Sequence, residues 1–113
     1  MRVELPWPPQ ELSPNKRVHR MVLAKRKREY RTDCAWLVRA ACGKLDAQRA
    51  ELRLTFCPPD RRPRDTDNMI ASMKAGIDGI ADALGVDDSR FGMHFARGEP
   101  VKDGRVIVEV IPA

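Results

Sequence analysis

The sequence contains no apolar run approaching the ~20 residues that a membrane-spanning helix requires, and its first residues lack the apolar core of a secretory leader. No membrane partner is expected, and a cytoplasmic location is. Cysteine is sparse. Cys34, Cys42 and Cys57 are odd in number and show no C-x-x-C spacing, which argues against a disulfide framework or a structural zinc site. Cys34 and Cys42 fall near each other on one helix face, and Cys57 ends an apolar run; all three read as small buried hydrophobes. Histidine is equally scarce: His19 and His94 stand alone, without metal-ligand spacing. There is no internal repeat and no low-complexity segment.

What remains is a short, highly charged chain. At 113 residues it supports one modest core and not two, so residues 1–113 are expected to form a single domain. A third of the residues are charged and 42% are hydrophobic, a balance that suits a globular fold. The net charge of +5 conceals an asymmetry. Residues 1–64 carry sixteen Lys and Arg against seven Asp and Glu, whereas residues 65–113 carry five against nine. A basic half beside an acidic half points to a polyanion partner held near a cluster of carboxylates.

Periodicity sketches the elements. Arg2–Leu5 reads as a short strand stopped by Pro6-Trp7-Pro8-Pro9, and Ser13-Pro14-Asn15 as a turn. Tyr30, Cys34, Leu37, Val38, Ala41, Cys42 and Leu45 have helical spacing, ended at Gly43 or just after it. Glu51–Cys57 alternates as a strand and stops at Pro58-Pro59. Asp67–Leu84 is the strongest helix, with Ile70, Met73, Ile77, Ile80 and Leu84 as its stripe and Gly85 as its stop. Gly76 and Gly79 weaken it by about 1 kcal/mol each relative to Ala, which predicts a close-packed neighbour there. Arg90–Arg97 and Val106–Ile111 are the final strands, with a turn over Gly98–Gly104. The order β, α, β, α, β, β implies a small α/β (α+β) domain whose mixed sheet packs with two main helices.

The block Asp65-Thr66-Asp67-Asn68 sits where a basic loop meets the long helix. Helix capping accounts for part of it, because Asp and Asn are favoured at N-caps and complement the positive end of the helix dipole. Capping explains one aspartate well, a pair flanked by Arg61, Arg62 and Arg64 less well, and Asp87-Asp88 not at all. Metal chemistry offers a second reading. Mg²⁺ prefers oxygen ligands, keeps several waters, and is held by one or two carboxylates plus substrate phosphate. In extended backbone, residues i and i+2 point to the same side, so Asp65 and Asp67 would face one ion together, with a third carboxylate from a distant loop. Such an ion polarises a scissile phosphate, lowers the pKa of a water and orients in-line attack. At ~100° per residue, Lys74 and Asp78 share a helix face with Asp67. A lysine there would stabilise charge developing on the phosphate, or form an ordinary solvated i, i+4 pair with Asp78.

Three blocks carry a resemblance to the RusA family of Holliday junction resolvases, endodeoxyribonucleases common in bacteria and their prophages. Leu5-Pro6-Trp7-Pro8-Pro9, followed by Ser13-Pro14-Asn15 and basic residues, is similar to the family's LPWPP–N–R opening. Arg61-Arg62-Pro63-Arg64-Asp65-Thr66-Asp67-Asn68 resembles its basic D-x-D-N signature, and Asp82-Ala83-Leu84-Gly85-Val86-Asp87-Asp88-Ser89 its D-A-L…D-D segment. The blocks are in the family's order and together span most of the chain. The resemblance implies a Mg²⁺-dependent (or Mn²⁺-dependent) nuclease with metal-binding Asp65, Asp67 and, in the acidic pair, Asp88 rather than Asp87. It implies catalytic roles for these three and for a lysine, cleavage to a 5′-phosphate and a 3′-hydroxyl, branched four-way DNA as partner, and a homodimer. The family's lysine follows the second aspartate by four residues. Here that position is Ala71, and Lys74 comes three residues later.

The run from Lys16 to Arg31 is one-sided in sign, unlike a solvated helix face, where acids and bases interleave. Lys16, Arg17, Arg20, Lys25, Arg26, Lys27 and Arg28, with Arg61, Arg62 and Arg64 of the loop, are therefore expected to contact DNA phosphate, which gives affinity without sequence information. His19 is placed to join them, and His94 reads as structural. Trp7, between prolines, reads as a packing anchor; Trp36 is open to either role. The rival readings are a branched-DNA binder that has lost catalysis, motivated by the displaced lysine, and a small regulatory protein with acidic and basic faces.

Overall fold

A computed structural model describes residues 1–112. Four strands form one sheet: β1 (Arg2–Pro6), β2 (Ala50–Cys57), β3 (Phe91–Arg97) and β4 (Arg105–Pro112). Their spatial order is β1-β4-β2-β3. β4 runs antiparallel to both β1 and β2, while β2 and β3 are parallel, so the sheet is mixed as expected. A parallel pair needs a crossover connection, and the second half of the chain supplies it as two helices, α2 (Thr66–Ser72) and α3 (Lys74–Leu84).

One face of the sheet is apolar. Val3 and Leu5 of β1, Leu52, Leu54 and Phe56 of β2, and Val106, Val108 and Val110 of β4 recur at period two and are all buried. They meet a long helix, α1 (Arg20–Cys42), through Tyr30, Cys34 and Val38. α3 adds Ile77, Ile80, Ala83 and Leu84 to the same core. The opposite sheet face is polar: Arg105 pairs with Glu4 at 2.8 Å, and His94 Nε2 lies in hydrogen-bond contact with Glu51 at 3.0 Å. Helices thus cover one side of the sheet only.

Two element boundaries depart from the periodicity. The first helix begins at Arg20, ten residues before the first position of its apolar stripe, so the basic run is mostly helical. Lys, Arg, Met and Leu are good helix formers, and His19 caps the segment, its Nδ1 accepting the Met21 N–H at 3.2 Å. His19 is therefore tied to helix α1 as its cap. The long helix expected over Asp67–Leu84 is divided at Met73. The Ser72 hydroxyl donates to the Asn68 carbonyl at 2.8 Å, competing with the helix ladder for that acceptor, and the Met73 N–H turns to Ile70 O in a tighter turn.

The glycines of α3 have the close neighbour their cost implied. A Cβ at Gly79 would collide with the Arg31 carbonyl oxygen and stand 3.1 Å from the Ala35 nitrogen, so α1 and α3 touch backbone to backbone. The contact is stapled by Arg31, whose Nε and Nη2 donate to the two carboxylate oxygens of Asp82 at 2.6 and 2.9 Å. Cys34 and Cys57 are buried and Cys42 is partly so, all three as free thiols. Burial pushes the Cys34 thiol up to about 12, so it behaves as an inert core residue. No described helix is long and apolar enough to cross a membrane.

Candidate active site and nucleic-acid surface

The loop after β2 owes its shape to Asp60. Its carboxylate accepts from the Arg62 N–H at 3.0 Å, from Arg62 Nε at 3.2 Å and from Arg64 Nη1 at 2.9 Å. The Arg64 and Arg62 guanidinium groups hold the Asp60 carboxyl far below the usual carboxylate range. From there the chain reaches Asp65, the N-cap of α2, whose Oδ1 accepts the Asp67 N–H at 2.9 Å. Capping thus explains Asp65, and it corrects the extended-backbone geometry expected for the pair: Thr66 already starts the helix, so Asp67 lies in its first turn. Both carboxylates remain exposed at one helix end, Asp65 with Oδ2 uncommitted and Asp67 in no ion pair among the described residues.

Lys74 opens α3 and holds two carboxylates. Its Nζ donates to Asp78 Oδ1 and to Asp88 Oδ2, both at 2.8 Å. The contacts with Asp78 and Asp88 raise the Lys74 pKa, and the ammonium lowers that of Asp88. The solvated pair with Asp78 is therefore present, and it is extended to a third member that helix spacing does not reveal. The acidic pair divides here: Asp88 faces Lys74, while Asp87 accepts the Ser89 hydroxyl at 2.5 Å.

Among the described residues, no three His, Cys, Asp or Glu side chains are gathered closely enough to hold one ion as they stand. Asp65 and Asp67 sit at the start of α2, and Asp78 and Asp88 are bridged by Lys74, which opens α3. The donors are hard oxygens, the chemistry that suits Mg²⁺, and two carboxylates with water and phosphate meet its usual demand.

The cationic residues fall into two classes. Lys16, Arg17, Arg20, Lys25, Lys27, Arg28 and Arg61 are exposed and enter no ion pair among the described residues. Arg26 is committed inward, to Glu11 at 2.9 Å and Glu29 at 3.3 Å, and Arg62 and Arg64 to Asp60. Two open cavities lie beside these groups. One, about 650 Å³, runs from Trp7 and the Pro8-Pro9 turn to Arg62, Arg64, Asp65 and Asn68. The other, about 740 Å³, has Leu12, Leu23, Ile70 and Ile77 as its floor and Lys16, Lys27, Arg28, Arg31 and Lys74 along its rim. They share Ser13, Lys16 and Ser72.

Two roles were missed in the sequence. Arg97, at the end of β3, donates from Nε and Nη2 to the Thr66 hydroxyl at 3.0 and 2.6 Å and from Nη2 to the Arg64 carbonyl. It clamps the Arg64–Thr66 turn to the sheet, and a lone arginine in a weak strand pattern carries no sign of that. Trp7 packs edge-on against Phe56 at 6.1 Å, as an anchor would, yet it also lies under the Arg64 guanidinium at 5.8 Å and lines the first cavity. Trp36 is 74% exposed and stands apart from both cavities.

No family model matches the chain. It is 40% identical, over 94% of its length and 72% of the relative's, to an uncharacterized protein of Xylella fastidiosa (strain Temecula1 / ATCC 700964). The chain belongs to the same family as that protein.

Proposed function

We propose that this member of the family is a Mg²⁺-dependent, structure-selective endodeoxyribonuclease that resolves four-way DNA junctions in recombination and repair, with Mn²⁺ as an alternative ion. The observation that carries the reading is the exposed Asp65–Asp67 pair at a helix start, with Asp65 lining a cavity that also takes in Lys16, Arg62 and Arg64. Hard oxygen donors beside cationic residues are what a phosphodiester needs on its two sides: an ion site and a means of holding the backbone. Its resemblance to the RusA family, in three ordered blocks, supports the same assignment.

In this reading Asp65 and Asp67 hold the divalent ion, whose chemistry is to polarise the phosphate and acidify the attacking water. Lys74 lies on the rim of the adjoining groove and offers its ammonium to phosphate charge. Asp88, the third ligand implied by the resemblance, holds Lys74 through Oδ2 and would lend its carboxylate to the ion. Arg97 positions the metal-binding turn. The working unit is a homodimer, because two symmetric cuts require two symmetric sites.

The test is cleavage of a synthetic four-way junction by the purified full chain in Mg²⁺ or Mn²⁺. Asp67→Asn is expected to abolish turnover while binding the junction equally or more tightly in chelator, because an unfilled carboxylate repels phosphate. Intact junctions after incubation with the wild-type protein in both metals would refute the catalytic assignment. A second reading, a branched-DNA binder without catalysis, is favoured by the engagement of Asp88 with Lys74. Junction binding without cleavage in any divalent metal is its signature.

A further inference from the structure

The cavity beside Asp65 carries more than the cations Lys16, Arg62 and Arg64 that suit phosphate. Its lining is also aromatic and apolar, from Trp7, Phe56 and Met69, and amide and hydroxyl, from Asn15, Asn68 and Ser13. The Trp7 ring is held upright by an edge-on contact with Phe56, which itself stacks on Phe95 at 6.1 Å. The Arg64 guanidinium, 5.8 Å from the Trp7 centroid, is fixed from its other side by Asp60. Neither the Asn15 nor the Asn68 side-chain amide has a hydrogen-bond partner among the described residues. An aromatic ring capped by a guanidinium, with uncommitted amides lining the same cavity, offers what a nucleobase uses: planar groups to stack on and an amide for its donor and acceptor edge. The volume of about 650 Å³ falls within the range of small-ligand sites.

Position says how a base would arrive. Lys16 and Ser72 form the ridge between this cavity and the basic groove that holds Lys27, Arg28 and Lys74. A strand whose phosphates follow that groove crosses the ridge at Lys16 and delivers its next base over Trp7, with the linking phosphate beside Asp65. We infer that the Trp7–Arg64–Asn68 cavity captures one nucleobase extruded at the branch point, and thereby sets which phosphodiester lies at the carboxylates. Unpairing is cheapest where stacking is already interrupted, so a branch point offers its bases more readily than a duplex does. The inference rests on the junction-nuclease reading and adds to it the element that selects the bond.

The experiment is a coupling cycle in chelator, read as dissociation constants by fluorescence anisotropy with the full chain. Abasic sites are placed one at a time along each strand flanking the branch point, and each junction is titrated with wild type, Trp7→Leu and Asn68→Ala. On the intact junction Trp7→Leu is expected to weaken binding about tenfold or more, the usual effect of removing an aromatic ring from under a base. At one abasic position that loss should disappear, for Trp7→Leu and Asn68→Ala alike, because the base they hold is gone. Trp7→Phe should retain most of the wild-type affinity.

A loss equal at every abasic position, or no loss on the intact junction, overturns base capture and leaves the nuclease assignment standing. Failure of the wild-type protein to bind any junction in low salt refutes both. Should Trp7→Leu fail to fold, Asn68→Ala alone carries the cycle, since Asn68 lies outside the hydrophobic core.

Discussion

The ammonium of Lys74 is shared between Asp78 and Asp88, and this sharing defines what the residue does for the chain. Both pairs are at least partly exposed, so solvent screening leaves little stability in them. On the proposed function their value is positional: two carboxylates hold a long, flexible side chain where phosphate would lie. Lys74→Met is therefore expected to leave the fold and junction affinity nearly intact and to slow cleavage about 10²–10³-fold, the usual cost of losing one donor to transition-state charge. A second signal comes from Asp88, whose pKa Lys74 depresses. In Lys74→Met it should rise toward the ordinary value, which a carboxyl-carbon NMR titration reads. Unchanged cleavage, or an unmoved Asp88, would remove Lys74 from the site.

Between α1 and α3 the same physics acts as a staple. Arg31 grips both oxygens of Asp82 across a helix contact close enough to require Gly79. Arg31 first, against the opposing effect of burial, lowers the Asp82 pKa. A carboxylate whose folded pKa is depressed stabilises fully above its unfolded value of ~3.9 and loses that contribution as pH falls through the folded value. Asp82→Asn should accordingly lower stability at pH 7 by about 0.5–1 kcal/mol, a figure already reduced for solvent exposure. The gap should close in strongly acidic buffer. Urea midpoints of both proteins across the acid range decide it; a gap that persists at low pH would assign the loss to packing. At this scale the sequence was informative wherever patterns are local. Alternation identified β2, and the cost of Gly76 and Gly79 foretold the neighbour that is α1. It failed where two local preferences compete, as at Ser72, whose hydroxyl divides an otherwise continuous apolar stripe.

Across the whole molecule, what the sequence did not reveal is non-local. Net charge separated a basic from an acidic half, but only folding decides which cations are spent within the protein. Arg26 is taken by Glu11, Arg62 and Arg64 by Asp60, and Arg31 by Asp82, each through a partner that composition alone does not pair. The engagement of Asp88 by Lys74 likewise arises from the fold and from no feature of either motif. This partition has a measurable consequence, since only cations free to neutralise DNA phosphate release counterions. Lys27 and Arg28 enter no ion pair among the described residues and line the groove that reaches Lys74. The slope of log K against log salt for B-DNA falls by roughly 0.9 for each phosphate that the protein no longer neutralises, so Lys27→Ala and Arg28→Ala should each flatten it by about 1. Arg26→Ala removes the same formal charge from the same helix, but one already matched by Glu11 and Glu29, and should leave the slope as it is. Junction titrations from low to physiological salt, in chelator, separate the cases. Equal flattening by all three would mean that net charge, and not the groove, holds the DNA.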